Sequence, residues 1–182
     1  MSRDYFVISD THFSHANILK FTDDNGDLIR PGFQNVDEMD DFIIEKWNSI
    51  ASPSSYVYHL GDVSFNLKKW DEVIAPKLVG RKRLIVGNHD TLHDARLMRH
   101  FEKVSLWKCY DTFGFIMSHL PLRRDQMKHK YTHNLHGHIH SPNKGQSEKI
   151  LGRQYDIGCV ANNYRPVHIG QIDTWIQKTK WL

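Results

Sequence analysis

Residues 5–12 read YFVISDTH, and this stretch predicts both a fold class and a kind of site. The first four residues are aromatic or aliphatic, a run that is too short for a helix and rich in residues that favour strands. Two polar residues, Asp10 and His12, follow closely. We interpret the run as a buried strand that carries functional groups just beyond its carboxyl end.

The same arrangement recurs further along the chain. Apolar runs at residues 56–60, 83–86 and 113–117, and a weaker strand candidate at residues 132–136, also lead into Asp, Asn or His. The polar residues that follow them are Asp62, Asn88, His89, His119, His138 and His140. Glycines at positions 61, 87 and 137 let the backbone turn tightly or approach a ligand closely. Because groups beyond the carboxyl ends of strands in an open α/β sheet converge, we expect one shared crevice.

Two carboxylates, one amide and four imidazoles in a single crevice predict a metal site. Asp10 with His12, and His138 with His140, are two residues apart, which in extended backbone puts both side chains on one side. Each motif alone is ordinary turn or loop chemistry. Five of them in order, each after a strand, are not easily explained that way. Seven ligands, one of them bridging, can hold two cations about 3.5–4 Å apart.

Amphipathic stretches between the apolar runs predict helices, so the sequence indicates an α/β fold. The expected helix starts are Asn35, Asn66 for a short helix that stops before Pro76, and Asp90 or Thr91. A last helix is expected over residues 170–181. Weaker strand candidates lie at residues 103–110, 154–157 and 166–169. Residues 21–33 are polar and rich in turn formers, which predicts a surface loop.

The composition excludes several classes of protein. The 182 residues suit one domain over residues 1–182, and 40% hydrophobic with 25% charged residues is ordinary globular composition. There is no apolar run near the roughly 20 residues that span a bilayer, and no secretory signal. Two cysteines cannot build a disulfide framework or a thiolate zinc cage, so a cytoplasmic location is expected. A net charge of +3 does not by itself indicate nucleic-acid binding.

The five motifs, in this order, resemble the calcineurin-like metallophosphoesterase superfamily, in particular its small single-domain bacterial and phage members. The pattern D-x-H, G-D, G-N-H-[DE], H and G-H-x-H occurs here at residues 10–12, 61–62, 87–90, 119 and 137–140. The resemblance implies a four-layer αββα sandwich, in which two mixed sheets are flanked by helices and the site lies at the sheet edges.

The resemblance also implies a role for each motif residue. One metal is assigned to Asp10, His12, Asp62 and His140, and the second to Asp62, Asn88, His119 and His138. Asp62 is then the bridging carboxylate, and His89 faces the substrate phosphoryl group without binding metal. Asp90 either orients His89 or caps the following helix, and we favour the cap.

Such a site predicts hydrolysis of phosphate esters. Two cations lower the pKa of a bridging water, the resulting hydroxide attacks phosphorus, and His89 acts as general acid. A phosphodiester is favoured over a phosphomonoester. Ligation by nitrogen and oxygen suits Mn²⁺ first, with Fe²⁺, Ni²⁺, Co²⁺ or Zn²⁺ as alternatives. Alternative functions are a nuclease, a cyclic-nucleotide or nucleotide phosphatase, and a non-catalytic metal-binding scaffold.

Several residues outside the metal site have two open interpretations. His15 and Asn17 either contact substrate or are ordinary loop residues, and Arg30 either reaches a phosphate or is a solvated loop arginine. A basic run after His119 either faces solvent or attracts a nucleotide or nucleic-acid partner. It consists of Arg123, Arg124, Lys128 and Lys130. His136 is expected to be a buried structural residue, and His59 has no assigned role. No membrane partner is expected.

Overall fold

The described residues form two sheets, and the first contains five strands. The computed structural model describes residues 4–127, 130–140 and 154–179. The strands are β1 (Tyr5–Ile8), β2 (Tyr56–His59), β3 (Arg81–Ile85), β4 (Lys103–Ser105) and β9 (Val167–His168). Their order is β4-β3-β2-β1-β9. The first four are parallel, and β9 is antiparallel to β1, so the sheet is mixed.

The second sheet contains four strands. They are β5 (Trp107–Tyr110), β6 (Phe115–Ser118), β7 (His133–His136) and β8 (Gln154–Asp156), in that order. β5 is antiparallel to β6, whereas β6, β7 and β8 are parallel. The strand candidate at residues 103–110 is therefore two strands in different sheets, and Leu106 alone connects them.

Helices complete the architecture. They are α1 (Val36–Asn48), α2 (Leu67–Lys69), α3 (Ala75–Lys77), α4 (Ala95–Met98) and α5 (Ile169–Thr179). Short 3₁₀ helices lie at Ala16–Lys20, Arg124–Gln126 and Val160–Asn162. The predicted α/β class, with two mixed sheets flanked by helices, is confirmed. Within the described ranges, every helix is too short or too polar to cross a bilayer.

Alternating side chains bury both faces of the first sheet. One face packs against α1, through a cluster that includes Phe6, Ile8, Val57, Leu84, Met39, Ile43 and Trp47. The opposite face packs against the second sheet, through a cluster that includes Val7, Tyr58, Ile85, Phe115, Met117 and Leu135. α5 adds three isoleucines to this second cluster. The sheets are thus stacked with their site-bearing strand ends at a common edge.

Asparagines precede two of the predicted helices. Asn35 caps α1 as expected, since its Oδ1 accepts a hydrogen bond from the Glu38 N–H at 2.9 Å. The helix that begins after Asn66 does not stop before Pro76, so that prediction is wrong. A π-helical turn, Trp70–Ile74, continues it, and Pro76 lies in the first turn of α3. A proline is tolerated there because its missing N–H has no helical partner.

Candidate metal centre

The expected ligand residues adopt an unusual backbone conformation. Asp10, His12, Asp62, His138 and His140 have φ angles between 49° and 72°. Non-glycine residues seldom adopt this left-handed region, and those that do cluster at functional sites. The extended backbone expected for the two closely spaced pairs is therefore wrong. Tight turns at the strand ends bring these side chains together instead.

Asp10, His12 and His140 form the first cluster, with ligand atoms that all lie within 4.8 Å of one another. Nε2 of His12 is 4.0 Å and Nε2 of His140 is 3.8 Å from Oδ1 of Asp10. The backbone N–H of His138 donates to both carboxylate oxygens of Asp10, at 3.1 and 2.9 Å. The first sheet therefore contributes a carboxylate that the second sheet holds in place.

Asp62, His119 and His138 form the second cluster, again within 4.8 Å. Oδ1 of Asn88 lies 2.8 Å from Nε2 of His119 and 3.1 Å from Nδ1 of His138. The structure thus brings together the side chains that the family resemblance assigns to the second metal.

Asp62 lies between the two clusters. Its Oδ2 is 3.5 Å from Nε2 of His12 in the first cluster and 3.5 Å from Nε2 of His119 in the second. Its Oδ1 accepts a hydrogen bond from the backbone N–H of His89 at 3.0 Å. One carboxylate therefore faces both clusters, which is the position that a bridging ligand needs.

The donor atoms suit divalent cations. The Nδ1–H of His119 donates to the carbonyl oxygen of Leu60 at 2.8 Å, so Nε2 keeps its lone pair for a cation. Nε2 of His12 is buried and has no hydrogen-bond partner among the described residues. An unpartnered buried nitrogen is costly, and coordination would satisfy it. The site therefore fits the metals that its residue types predict.

Burial also sets the protonation of this site. It raises the pKa of the Asp10 carboxyl well above its usual range. Burial and the nearby Arg30 charge lower the pKa of His12, and they bring that of His140 to about 4. Both imidazoles are therefore neutral at pH 7, the form that binds cations.

Asp90 joins two strand ends and does not cap a helix. Its carboxylate accepts backbone hydrogen bonds from Asp62 at 3.1 Å, Val63 at 3.0 Å and Gly87 at 2.8 Å. Asp94 is the residue that caps α4. A third role thus replaces both earlier interpretations of Asp90: its carboxylate accepts hydrogen bonds from backbone N–H groups of and beside Asp62.

Glycine is required at two of the expected positions because other atoms approach so closely. A Cβ atom at Gly87 would overlap the carboxylate and backbone nitrogen of Asp62. A Cβ atom at Gly137 would overlap Ser9 and the carboxylate of Asp10. These glycines therefore let the ligand-bearing strand ends meet.

Arg30 is neither a solvated residue nor placed to contact substrate. It is only 1% exposed. Its guanidinium donates to the carbonyl oxygens of Thr11 at 2.8 Å and Asp10 at 2.5 Å. The prediction of a substrate contact is therefore corrected: Arg30 fixes the left-handed turn that carries Asp10 and His12. The polar, turn-rich composition of residues 21–33 does not indicate that the side chain of Arg30 is buried.

His15 lies beside the first cluster, stacked on a residue that the sequence did not single out. Its ring centroid is 3.8 Å from that of Phe65, and Phe65 also contacts the rings of His12 and His89 at 5.1 Å each. Phe65 is 42% exposed and thus forms part of the rim. Asn17 is exposed on the short helix Ala16–Lys20. A role in substrate binding stays a prediction for His15 and Asn17.

His59 has a structural role that the sequence left unassigned. Its Nδ1 accepts from the Gly61 N–H at 3.2 Å, so Nε2 carries the proton and donates to Oγ1 of Thr11 at 2.9 Å. Thr11 donates onward to the carbonyl oxygen of Val63 at 2.9 Å. This series of hydrogen bonds ties the end of β1 to the end of β2 beneath the ligands. His136 is buried, as predicted.

We expect acid to destabilise the metal-free protein through His59. Burial lowers the pKa of His59 to about 3. The unfolded chain has an ordinary histidine pKa and takes up the proton first, so the free energy of unfolding falls below pH 6.5, by about 2 kcal/mol at pH 5. Urea denaturation in EDTA at pH 7 and pH 5 measures this loss. His59→Gln should remove about 2 kcal/mol of the pH dependence.

A matched control is available on the surface. The side chain of His168 is 46% exposed, so His168→Gln should leave the pH dependence unchanged. Equal pH dependence in the wild type and in His59→Gln would contradict the assignment.

The basic run after His119 is partly described. Arg123 pairs with Asp125 at 3.1 Å and Lys130 pairs with Asp111 at 3.1 Å, and all four side chains are exposed. Lys128 lies outside the described residues, and the side chain of Arg124 is likewise outside them. Attraction of a nucleotide or nucleic acid by this run stays a prediction.

Residues 5–181 match the family model of the calcineurin-like phosphoesterases. The chain therefore belongs to this family. Together with the two clusters of histidine and aspartate, this makes it a metal-dependent phosphoesterase.

Relatives from an archaeon and a phage cover nearly the whole chain. It is 32% identical over 187 residues to the uncharacterized protein MJ1445 of Methanocaldococcus jannaschii, covering 98% of this chain and 94% of that protein. It is 27% identical over 207 residues to the Gene 66 protein of Mycobacterium phage L5, covering 96% and 88%. The fold is similar to that of AQ665, a protein of unknown function from Aquifex aeolicus, with a TM-score of 0.70, 23% identity and coverage of 96% and 100%.

Proposed function

We propose that this phosphoesterase holds two divalent cations and hydrolyses phosphodiesters, with His89 as general acid. The position of the Asp62 carboxylate supports the proposal most strongly, because its Oδ2 is 3.5 Å from a histidine nitrogen of each cluster. A carboxylate that faces two ligand sets is typical of a site for a pair of metals. Asp10, His12, Asp62 and His140 would hold one ion, and Asp62, Asn88, His119 and His138 the other.

The charges of the site support an anionic substrate. Two divalent cations carry +4 and the two carboxylates carry −2, so the loaded site attracts a phosphate ester. When bound, the cations supply an activated water and neutralise charge on the phosphoryl oxygens. The protein groups fix the geometry: Arg30 and Asp90 hold the turns that carry Asp10 and Asp62.

The position of His89 supports a role as general acid toward the leaving group. It is exposed, and its backbone N–H is bound to the bridging Asp62. Its ring centroid is 5.1 Å from that of Phe65 and 6.0 Å from that of His12. An imidazole at the rim of the site can hold a proton at one ring nitrogen and donate it to the departing ester oxygen.

Manganese is the metal that we propose for activity. The expected ligands are imidazole, carboxylate and amide groups without thiolate, a set that suits Mn²⁺ and related transition metals. Mg²⁺ and Ca²⁺ prefer oxygen ligands throughout. A cytoplasmic location, the compartment in which the free thiols of Cys109 and Cys159 stay reduced, is part of the same proposal.

A panel of substrates tests the proposal. The protein, freed of metal and then loaded with Mn²⁺, is assayed on bis(p-nitrophenyl) phosphate, p-nitrophenyl phosphate, 2′,3′-cyclic nucleotides and single-stranded oligonucleotides. We expect hydrolysis of the diester, faster than that of the monoester, and two bound metal equivalents. Absence of hydrolysis from every substrate with two metals bound would favour a non-catalytic scaffold. Faster cleavage of the monoester would overturn the diester assignment.

A further inference from the structure

A cavity of about 740 Å³ adjoins the second cluster. Asn88 and His119, two expected ligands of the second metal, line it together with residues of β5, β6 and the segment that follows β6. Its volume lies in the range of small-molecule sites, about 300–1,000 Å³. The cavity therefore starts at the proposed metal centre and extends away from it.

The wall of the cavity is the outer face of the second sheet. Trp107 lies opposite Ser118, and Cys109 lies opposite Ile116, in the antiparallel pair of β5 and β6. All four line the cavity, whereas the alternate residues of β6, such as Met117, point into the core between the sheets. The strand alternation thus separates the face that packs into the core from the face that lines the cavity.

The cavity presents mainly apolar surface. Leu106, Trp107 and Leu120 line it and are 61%, 58% and 50% exposed. Exposed apolar side chains grouped around a concave site are typical of ligand binding.

Several polar atoms of the lining already have partners. Ser118 Oγ donates to the Leu120 carbonyl oxygen at 2.7 Å and accepts from Asn134 at 2.9 Å. Gln126 Oε1 accepts from the Arg123 N–H at 3.1 Å, and Lys130 pairs with an aspartate. A ligand rich in hydrogen-bonding groups would therefore find few free partners here, and burying such groups unpaired is unfavourable.

We propose that this cavity binds one ester group of the phosphodiester, and that this group is an uncharged aromatic or branched aliphatic moiety. The inference rests on the proposed function, because the phosphoryl group must lie at the metals for its ester group to reach the cavity. The metal centre then recognises the charge that all phosphodiesters share, and the cavity selects among them by apolar contact.

Two diesters of equal charge test the subsite. Diphenyl phosphate and dimethyl phosphate are titrated into the Mn²⁺-loaded His89→Ala protein, in which turnover of the diesters is slow, and their dissociation constants are measured by calorimetry. We expect diphenyl phosphate to bind about tenfold more tightly or better, because the cavity removes a phenyl ring from water. Tighter binding of a nucleoside 5′-phosphate methyl ester than of diphenyl phosphate would overturn the apolar assignment.

Three exposed leucines provide two test substitutions in the cavity and one control outside it. Leu106→Ala with Leu120→Ala should reduce the preference for diphenyl phosphate about fivefold, since both side chains line the cavity. Leu92 is also exposed, at 47%, and is not among the residues that line the cavity, so Leu92→Ala should leave the preference unchanged. Because all three side chains are exposed, the fold should tolerate the substitutions.

The reactivity of Cys109 measures whether a ligand occupies the cavity, independently of turnover. Cys109 lines the cavity and is half-buried, whereas Cys159 is fully buried and burial raises its pKa to about 11. N-ethylmaleimide should therefore label Cys109, and diphenyl phosphate, but not dimethyl phosphate, should slow the labelling several-fold. Mass spectrometry assigns the labelled residue.

The outcomes separate the two proposals. Equal binding of the two diesters, with hydrolysis still observed and no protection of Cys109, would overturn the subsite alone. If neither diester binds the loaded protein and no substrate of the panel is cleaved, the proposed function fails and the subsite fails with it.

Discussion

Asp62→Asn should reduce the turnover of a phosphodiester by about 10³-fold or more and lower the bound metal from two equivalents to one or none. The physical reason is the position of Oδ2 between Nε2 of His12 and Nε2 of His119. An amide carries no negative charge and has one oxygen, so it cannot neutralise and connect two cations. Metal analysis after gel filtration and a diester assay at saturating Mn²⁺ measure the two effects.

The fold should survive this substitution. The amide oxygen of Asn can still accept the hydrogen bond from the His89 N–H that Oδ1 of Asp62 accepts now. Asp125→Asn, on a carboxylate that is 66% exposed, is the matched control and should leave both measurements unchanged. Two bound metals with wild-type turnover in Asp62→Asn would show that this carboxylate does not bridge.

His89→Ala should reduce turnover by about 10²–10⁴-fold and leave the metal content unchanged. His89 lies at the rim and belongs to neither of the two ligand clusters. Loss of a general acid affects poor leaving groups most, because a good leaving group departs without protonation. The loss should therefore be larger for an alkyl ester than for a p-nitrophenyl ester, and comparison of these two substrates measures it.

A nearby histidine provides the control for this substitution. His93 is exposed and lies four residues further along, so His93→Ala should retain both activity and metal. Full activity of His89→Ala on an alkyl ester would exclude the proposed acid role. Loss of metal from His89→Ala would instead identify a ligand.

The sequence predicts well those features of the site that depend on residues close to one another in the chain. Asp10, Asp62 and His119 each follow a short apolar run. Parallel pairing aligns the carboxyl ends of strands within each sheet, and the stacking of the two sheets brings these ends to one edge. The α/β class follows from the same runs, because each is too short for a helix. A metal site and the fold class were therefore predictable from residue types and their order, whereas the division of the ligands into two sets came from the family resemblance.

Other features depend on contacts between distant residues. Arg30 comes from a polar loop, yet its guanidinium binds the carbonyl oxygens of Asp10 and Thr11. Asp90 binds three backbone nitrogens and caps no helix. Phe65 has no apolar period to mark it, and it lies at the rim through its stacking on His15. These roles depend on which strand ends meet, and local patterns do not contain that information.

Backbone conformation was the least predictable property. Spacing of two residues indicated extended chain at Asp10 and His12, whereas both have positive φ. Aspartate and histidine tolerate this region better than bulkier residues do, but their presence alone does not identify it. Only the surrounding hydrogen bonds, such as those of Arg30, hold the chain there.

The hydrogen bonds from the His138 N–H to the Asp10 carboxylate, 128 residues apart in the chain, have a consequence during synthesis. A nascent chain on the ribosome exposes Asp10 early but lacks His138 and His140 until the later strands have emerged. Each partial chain then lacks one member of each cluster. Hydrolytic competence therefore arises late and as a whole, and a truncated translation product that ends before residue 138 carries no assembled centre that would attack cellular esters.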